Sequence, residues 1–324
     1  MDQHTALMWH GGQTTAAAEL YPAAPRPWLD LSTGISPWAW PLPAIEPQTW
    51  QSLPLQSALE QLEFAAARVF GVDDARQIAA VPGSDIAIRL LARLLPAEGE
   101  AIIGQSYSGY RAAWPGARVL SFEEARGSDL LVCANPNNPD GAVIEPQGLR
   151  ELRSIRIIDE AFADAMPEVS ILPDRGGAIV LRSFGKFFGL AGVRLGFVIA
   201  DEPVIRGLRH LLGDWPISGP AIAIGTAAYR DLAWQDLQRQ RLQQGSARLA
   251  ALLSRHGLED AGGTANFRLC DEADAAGLFS HFCRDGILVR PFADRPGQLR
   301  LGIPGTDADW ARLAQSLQTW RTAA

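Results

Sequence analysis

The sequence contains almost no lysine. Among its 29 basic residues only position 186 is a lysine, and the other 28 are arginines. A coding bias toward arginine can thin lysines anywhere in a chain. Arginine cannot, however, replace lysine where the chemistry needs a primary amine that can lose its proton. Lys186 is therefore the first candidate for nucleophilic chemistry.

Other scarcities argue against whole classes of protein. The three cysteines are widely spaced, which indicates no structural zinc and is typical of a reducing cytoplasm. The five histidines form no HExxH motif, so no metal site is predicted. No apolar run approaches the roughly 18 residues of a membrane span, and Met1–His4 lacks the start of a signal peptide. The net charge of −7 argues against binding to nucleic acid.

Short apolar runs separated by helical or irregular segments predict the fold. The 324 residues suffice for about two domains of roughly 150 residues. A helix is predicted over Leu55–Phe70 and a single long one over Ala221–His256. After Gly263 a small α/β domain follows. Seven earlier runs predict βα units and a mostly parallel sheet: Gln77–Val81, Ala101–Gly104, Arg118–Ser121, Leu130–Ala134, Arg156–Ile158, Ala178–Arg182 and Leu195–Ala200.

Lys186 lies in a glycine-rich segment directly after one of these predicted strands. That position is the carboxyl end of a strand, where α/β folds bind ligands. The segment matches neither a phosphate-binding P-loop nor a dinucleotide fingerprint. It offers the hydroxyl of Ser183, the amine of Lys186 and the permanent cation of Arg194. These groups suit a phosphorylated aldehyde, because the amine can bond to the aldehyde while hydroxyl and guanidinium hold the phosphate.

Ser183, Lys186 and Arg194 resemble the pyridoxal-phosphate lysine motif of the fold-type-I class I and II aminotransferases. Leu130–Gly141 resembles the Asn-Pro-x-Gly loop of that family, and Ile157–Phe162 resembles its strand-end aspartate motif. The resemblance implies pyridoxal 5'-phosphate as cofactor and a homodimer with active sites at the subunit boundary. It also implies a large domain at residues 41–220, with a mostly parallel seven-stranded sheet, and a small α/β domain built from residues 1–40 and 221–324.

The resemblance further implies roles for individual residues toward the cofactor. Lys186 is the catalytic lysine that binds it covalently, and Asp159 pairs with the protonated pyridine nitrogen. Asn138 bonds to the phenolic oxygen, and Tyr107 stacks on the ring. The remaining expected cofactor-binding residues lie around the phosphate: Gly83, Ser84, Asp85, Ser183 and Arg194.

The ends of the chain point to a subgroup. His10-Gly11-Gly12 and the segment Trp28–Pro37 resemble the cobalamin-biosynthetic threonine-phosphate decarboxylases, close kin of the histidinol-phosphate aminotransferases. The implied reaction is decarboxylation of L-threonine O-3-phosphate to (R)-1-amino-2-propanol phosphate. Arg300 is implied to clamp the substrate α-carboxylate, with Arg290 as a second cation for an anionic substrate. The expected substrate-binding residues are His10, Ile35, Ser36, Asn138, Arg290 and Arg300.

Two other functions stay open at the level of the sequence. If the substrate carboxylate is held in the plane of the cofactor ring, Lys186 removes the α-proton and amino transfer follows. The chain is then an aminotransferase for histidinol phosphate or a related phosphorylated amine. A cofactor-binding regulator without turnover is the third reading, and it lacks a visible DNA-binding module.

Three positions depart from the family pattern. Ser36 stands where asparagine is usual, and Phe162 where many relatives have tyrosine. Leu53-Pro54 replaces the Tyr-Pro that many aminotransferases lend to the phosphate site of the neighbouring subunit.

Overall fold

A computed structural model describes Leu7 and residues 10–323, which fall into two compact units. The larger unit is Ala39–Gln238, and the smaller unit comprises the described residues up to Trp38 together with those from Arg239 onward. The domain boundaries predicted at residues 40 and 220 stay a prediction. No described helix is both long enough and apolar enough to cross a membrane.

The described strands are short, and those of the larger unit are rich in branched and small apolar residues, as buried strands require. In chain order, β1 to β13 are Leu29–Asp30, Ile78–Val81, Glu100–Ile103, Arg118–Leu120, Leu130–Ala134, Ile155–Asp159, Ile179–Ser183, Gly196–Ile199, Glu259–Thr264, Phe267–Asp271, Ile287–Leu288, Arg290–Pro291 and Gln298–Gly302.

The α-helices with both ends described are numbered in the same way. In chain order, α1 to α12 are Thr14–Leu20, Pro47–Gln51, Gln56–Phe70, Ser84–Leu94, Ser108–Ala113, Pro146–Arg150, Phe184–Phe187, Glu202–Leu212, Gly219–Arg230, Leu232–Arg255, Ala275–Arg284 and Asp307–Ala323.

The larger unit is built on a seven-stranded sheet in the order β2-β8-β7-β6-β5-β3-β4. Only β8 runs antiparallel to its neighbours β2 and β7. The predicted mostly parallel seven-stranded sheet is confirmed, and each of the seven apolar runs forms one of its strands. Ala134 pairs with Asp159, and Asp159 with Leu181. The segments that follow β5, β6 and β7 therefore leave the sheet at one edge.

Two helix predictions had different outcomes. The predicted helix Leu55–Phe70 is confirmed as α3, which ends at Gly71 in the left-handed conformation that glycine favours. The single helix predicted over Ala221–His256 is wrong, because the chain breaks between α9 and α10 at Asp231. The Asp231 carboxylate accepts from Trp234 N at 3.1 Å and from Trp40 Nε1 at 3.1 Å. Asp231 thus caps the start of α10.

The smaller unit contains a four-stranded antiparallel sheet in the order β12-β13-β10-β9. A second, two-stranded sheet pairs β1 with β11 in parallel. The hydrophobic core of the smaller unit is formed by buried side chains of α11, β13 and α12, such as Leu278, Leu301 and Leu313. The pairing of β1 with β11 anchors the amino-terminal segment, so residues distant in sequence share this unit.

Candidate active site

A cavity of about 200 Å³ lies in the larger unit, beside the edge where β5, β6 and β7 end. All nine predicted cofactor-binding residues line it: Gly83, Ser84, Asp85, Tyr107, Asn138, Asp159, Ser183, Lys186 and Arg194. The structure thus brings together side chains that span more than 100 residues of sequence. Their individual roles stay a prediction.

One wall of the cavity is formed by the beginning of α4. Gly83 precedes the helix with φ of 90° and offers no side chain to cap it. The first N–H groups of any α-helix have no acceptor within the helix and favour an anion. A Cβ on Gly83 would lie 2.7 Å from Arg194 Nη2, so the guanidinium lies directly against this helix start. The start of α4 and the Arg194 guanidinium thus place two groups that favour an anion at one end of the cavity.

The backbone near Arg194 is built for this close approach. Arg194 has φ of 54°, a left-handed conformation that residues other than glycine rarely adopt. Two residues later, a Cβ on Gly196 would lie 2.9 Å from Ser84 N, so a larger residue would push β8 away from α4. Such strain is typical of functional sites, where the surrounding structure holds the residue in place.

Asp159 is a carboxylate buried at the end of β6, only 5% exposed. Tyr110 Oη donates to its Oδ2 at 2.9 Å, and Ala161 N donates to its Oδ1 at 3.1 Å. Burial raises the pKa of Asp159 to about 6, and the hydrogen bond from Tyr110 and the charge of Lys186 oppose that rise. A buried carboxylate in this state gains most from a cationic ligand.

Lys186 is held beside Asp159 by a short helix. α7 follows β7 directly, and its Phe184 and Phe187 are buried and anchor it in the core. The Lys186 Nζ lies 5.7 Å from the centre of the Phe162 ring. Phe162 is the position where many relatives have tyrosine, so an aromatic face stands there in place of a hydroxyl. The arrangement presents an amine to the same cavity as the Asp159 carboxylate.

Tyr107 lines the cavity and is bonded to the first turn of α4. Its hydroxyl donates to Asp85 Oδ1 at 3.0 Å. Burial, together with the Asp85 carboxylate, raises the pKa of Tyr107 to about 12, so the phenol stays protonated. The ring is therefore fixed from one side by a hydrogen bond and from the other by Tyr110, edge to face at 5.6 Å.

Several residues that support the site were missed from the sequence. Arg182 on β7 bonds to Glu160 at 3.1 Å and to Asp164 at 2.8 Å, in a network buried behind Asp159. Asn137 accepts from Ser106 Oγ at 2.6 Å, which ties the loop of Asn138 to the loop of Tyr107. The third is Tyr110. Its place three residues after Tyr107 was the one available signal, since that spacing puts both on one side of a helical turn.

The smaller unit contains the predicted arginine pair. Arg290 on β12 and Arg300 on β13 are directly opposite each other in the antiparallel ladder. Arg300 is 5% exposed, and its Nη2 donates to Ser32 O at 2.6 Å. Burial and the charge of Arg290 lower the pKa of Arg300 to about 9, and burial lowers that of Arg290 to about 10. Two cations this close make a strong anion-binding element.

The amino-terminal candidates lie in the same unit. Gly12 N donates to Ser32 Oγ at 2.7 Å, which places the His10-Gly11-Gly12 segment beside the residue that Arg300 contacts. His10 is exposed and Ile35 is half-buried. Ser36 is 4% exposed and its hydroxyl bonds to the backbone of Trp38 at 3.2 Å. The substrate roles of these residues stay a prediction.

Comparison with known proteins identifies the family. Residues 117–317 match the family model described as "Aminotransferase class I and II". The chain belongs to the class I and II aminotransferase family. A solved relative in this fold, the histidinol-phosphate aminotransferase of Sinorhizobium meliloti in complex with pyridoxal-5'-phosphate, superimposes with a TM-score of 0.81 at 20% identity. That match covers 96% of this chain and 95% of the other.

Several curated proteins resemble the chain to different extents. It is 39% identical to a threonine-phosphate decarboxylase of Pseudomonas aeruginosa, over 96% of this chain and 97% of that protein. It is 38% identical to one of Sinorhizobium sp., over 97% and 98%. A histidinol-phosphate aminotransferase of Symbiobacterium thermophilum is 31% identical over 73% of this chain and 74% of its own length.

Proposed function

We propose that the chain is a pyridoxal-phosphate-dependent threonine-phosphate decarboxylase. It releases CO2 from L-threonine O-3-phosphate and forms (R)-1-amino-2-propanol phosphate for cobalamin biosynthesis. The observation that carries this proposal is similarity over nearly the whole chain to two enzymes of that name. The similarity to a histidinol-phosphate aminotransferase is lower and covers less of the chain.

The cavity of the larger unit fits pyridoxal phosphate by the chemistry of its groups. The start of α4, with Ser84 and Arg194, is an anion site for the phosphate. Lys186 supplies the amine for the aldehyde, and Asp159 the anion for a protonated ring nitrogen. Bound pyridoxal phosphate supplies a conjugated ring that accepts the electron pair released at the substrate Cα.

The protein residues do the selecting and the positioning. Asp159 is held by two donors before any ligand arrives, so its charge is oriented in advance. Lys186 is the one lysine in the sequence, and its amine can take up or deliver a proton where an arginine cannot. Arg290 and Arg300 bind an anionic group of the substrate, with His10, Ile35, Ser36 and Asn138 as further substrate contacts. Which substrate bond breaks depends on how this cationic pair orients the carboxylate.

The chain is further proposed to act as a homodimer in the cytoplasm. Trp50, Leu53 and Leu55 lie in one segment of the larger unit and are 64 to 71% exposed. Neighbouring large apolar side chains at the surface mark an interaction face, and the same segment contains Leu53-Pro54, where relatives lend a residue to the partner. The cysteines Cys133, Cys270 and Cys283 are buried free thiols, as suits a reducing compartment.

The test is CO2 release from L-threonine O-3-phosphate with pyridoxal phosphate and no keto acid. The wild type is expected to release CO2, and Lys186→Ala to lose at least about 1000-fold in rate. Lys186→Arg is the matched control, because it keeps a cation without a deprotonatable amine and should be equally inactive. If CO2 is absent and amino transfer from histidinol phosphate to 2-oxoglutarate appears, the chain is an aminotransferase and the decarboxylase proposal is wrong.

A further inference from the structure

Tyr110 on α5 is a buried side chain at the edge of the cavity, and none of the sequence motifs singles it out. Its hydroxyl donates to Asp159 Oδ2 at 2.9 Å, and the residue is only 1% exposed. We propose that Tyr110 is a positioning residue that keeps Asp159 ionised and oriented for the cationic ring nitrogen of pyridoxal phosphate. The inference rests on the cofactor and is independent of the proposed substrate.

The contacts of Asp159 fix its two oxygens separately. Tyr110 holds Oδ2, and the N–H of Ala161 holds Oδ1. A carboxylate offers about four acceptor positions, so each oxygen can still accept from another donor. With one donor on each oxygen the carboxylate cannot rotate freely. Its orientation is therefore set by the protein before the cofactor binds.

Tyr110 is itself rigid and stays a donor. Burial and the neighbouring Asp159 raise its pKa well above the ordinary value, so the phenol keeps its proton throughout the neutral range. The ring packs edge to face on Tyr107, whose own hydroxyl is bonded to Asp85 at the start of α4. This chain of contacts connects the carboxylate end of the cavity to its phosphate end.

The charged and titratable groups around Asp159 come from several elements. Lys186 on α7 favours the ionised carboxylate, whereas burial and Glu160, the residue after β6, disfavour it. Cys133 on β5 and Tyr107 also face Asp159, and both are neutral acids whose pKa that carboxylate raises. Among the contacts that lower the pKa of Asp159, the hydrogen bond from Tyr110 is the strongest. Losing it shifts the carboxyl toward its neutral form.

The experiment compares two ligands on the full-length apoprotein by equilibrium titration at pH 7. One is pyridoxal phosphate, and the other is its 1-deaza analogue, in which carbon replaces the ring nitrogen. Tyr110→Phe is expected to weaken binding of pyridoxal phosphate about tenfold, as for one lost hydrogen bond to a charged group. Binding of the analogue is expected to stay within about twofold, since it has no ring N–H for Asp159 to pair with.

A pH series adds a readout that a packing defect would not move. Without the Tyr110 hydroxyl the pKa of Asp159 rises, so affinity for pyridoxal phosphate should begin to fall at a higher pH on acidification. Tyr229→Phe is the matched control. That tyrosine is also buried, and its hydroxyl has no hydrogen-bond partner among the described residues. Its affinities and pH series should stay unchanged.

Two outcomes overturn the proposal: an equal loss of affinity for both ligands in Tyr110→Phe, or no loss for either. Tyr110→His provides a second variant, because its ring N–H can donate to the same carboxylate and should restore most of the preference for the ring nitrogen. If Tyr110→Phe does not fold, a Tyr110→His protein without that preference also counts against the proposal. No substrate is present, so failure of the decarboxylase assay leaves this test intact.

Discussion

The two units each bury an ionisable group of opposite sign, and they treat it differently. In the larger unit Asp159 receives hydrogen bonds from Tyr110 and Ala161 and lies near the cation of Lys186. In the smaller unit Arg300 faces a second cation, Arg290, across a strand pair. Its own charge is thereby further disfavoured. The carboxylate is thus partly compensated by hydrogen bonds and by Lys186, whereas Arg300 faces a like charge that Asp30 offsets only in part.

This difference matches two kinds of ligand. A cofactor that stays bound through many turnovers suits a site organised in advance, with its counter-charge already oriented. A substrate that must enter and leave suits a pair of like charges, because an incoming anion relieves repulsion only while it is bound. Variants in the two units should therefore separate cofactor binding from substrate binding.

Asp159→Asn is expected to have the largest effect. Removing the counter-charge should lower the rate of CO2 release at least about 1000-fold. The stability of the apoprotein should, by contrast, increase relative to that of the wild type as pH rises. The pKa of Asp159 is raised from 3.8 to about 6 in the folded protein, so the folded state holds the proton more tightly and the wild type loses stability as pH rises through that window.

Asparagine does not titrate, so the stability of Asp159→Asn relative to wild type should rise by about 2 kcal/mol between pH 4.5 and pH 7. Urea unfolding of both apoproteins at the two pH values measures it. A constant difference would contradict the view that burial of Asp159 costs stability in the apoprotein.

Arg300→Met should give the next largest effect, confined to the substrate. Losing a buried cation that clamps a carboxylate should raise the KM for L-threonine O-3-phosphate about 100-fold. The dissociation constant of pyridoxal phosphate should not change. Arg300→Lys keeps the positive charge but lacks the planar guanidinium, so its KM should lie between those of the wild type and Arg300→Met. If Arg300→Met also bound pyridoxal phosphate less tightly, the proposal that the larger unit binds the cofactor and the smaller unit the substrate would be wrong.

Arg290→Gln should have the smallest effect, a KM raised about tenfold. It removes one cation and also relieves the repulsion on Arg300, so the two consequences partly cancel. Arg284→Gln is the control, because Arg284 is an exposed arginine of the same unit. Steady-state kinetics at low and high salt measure KM for both variants. A larger loss for Arg290→Gln than for Arg300→Met would reverse the assignment of the principal clamp.

The sequence predicts the sheet of the larger unit well, because its strands are continuous apolar runs that few other structures can bury. It does not predict β9. The letters of that strand, Glu-Asp-Ala-Gly-Gly-Thr, carry no strand preference, and pairing with β10 determines its conformation. The break at Asp231 was missed although the local cap of Asp231 on Trp234 N offered a signal. The second bond, from the distant Trp40, is contained in no local pattern.

The residues of the candidate site likewise divide into those that the sequence predicts and those that it does not. Lys186 and Asp159 could be predicted because their chemistry and spacing resemble a known motif. Tyr110 and Arg182 were not predicted. The spacing of Tyr110 after Tyr107 was the one signal, and an arginine in a strand has no distinctive pattern until the fold places it beside a carboxylate. Sequence motifs thus located the groups that line the cavity, and the structure was needed for those that orient them.

The left-handed backbone at Arg194 has a consequence for evolution and engineering. Glycine adopts this conformation without strain, so Arg194→Gly relaxes the main chain while deleting the guanidinium beside Gly83. A library selected only for thermal tolerance is expected to enrich that change, and each enriched variant is expected to be more stable and to bind the phosphate of the proposed cofactor less tightly. At this position a gain in stability comes with a loss of activity, so a selection has to test for both properties.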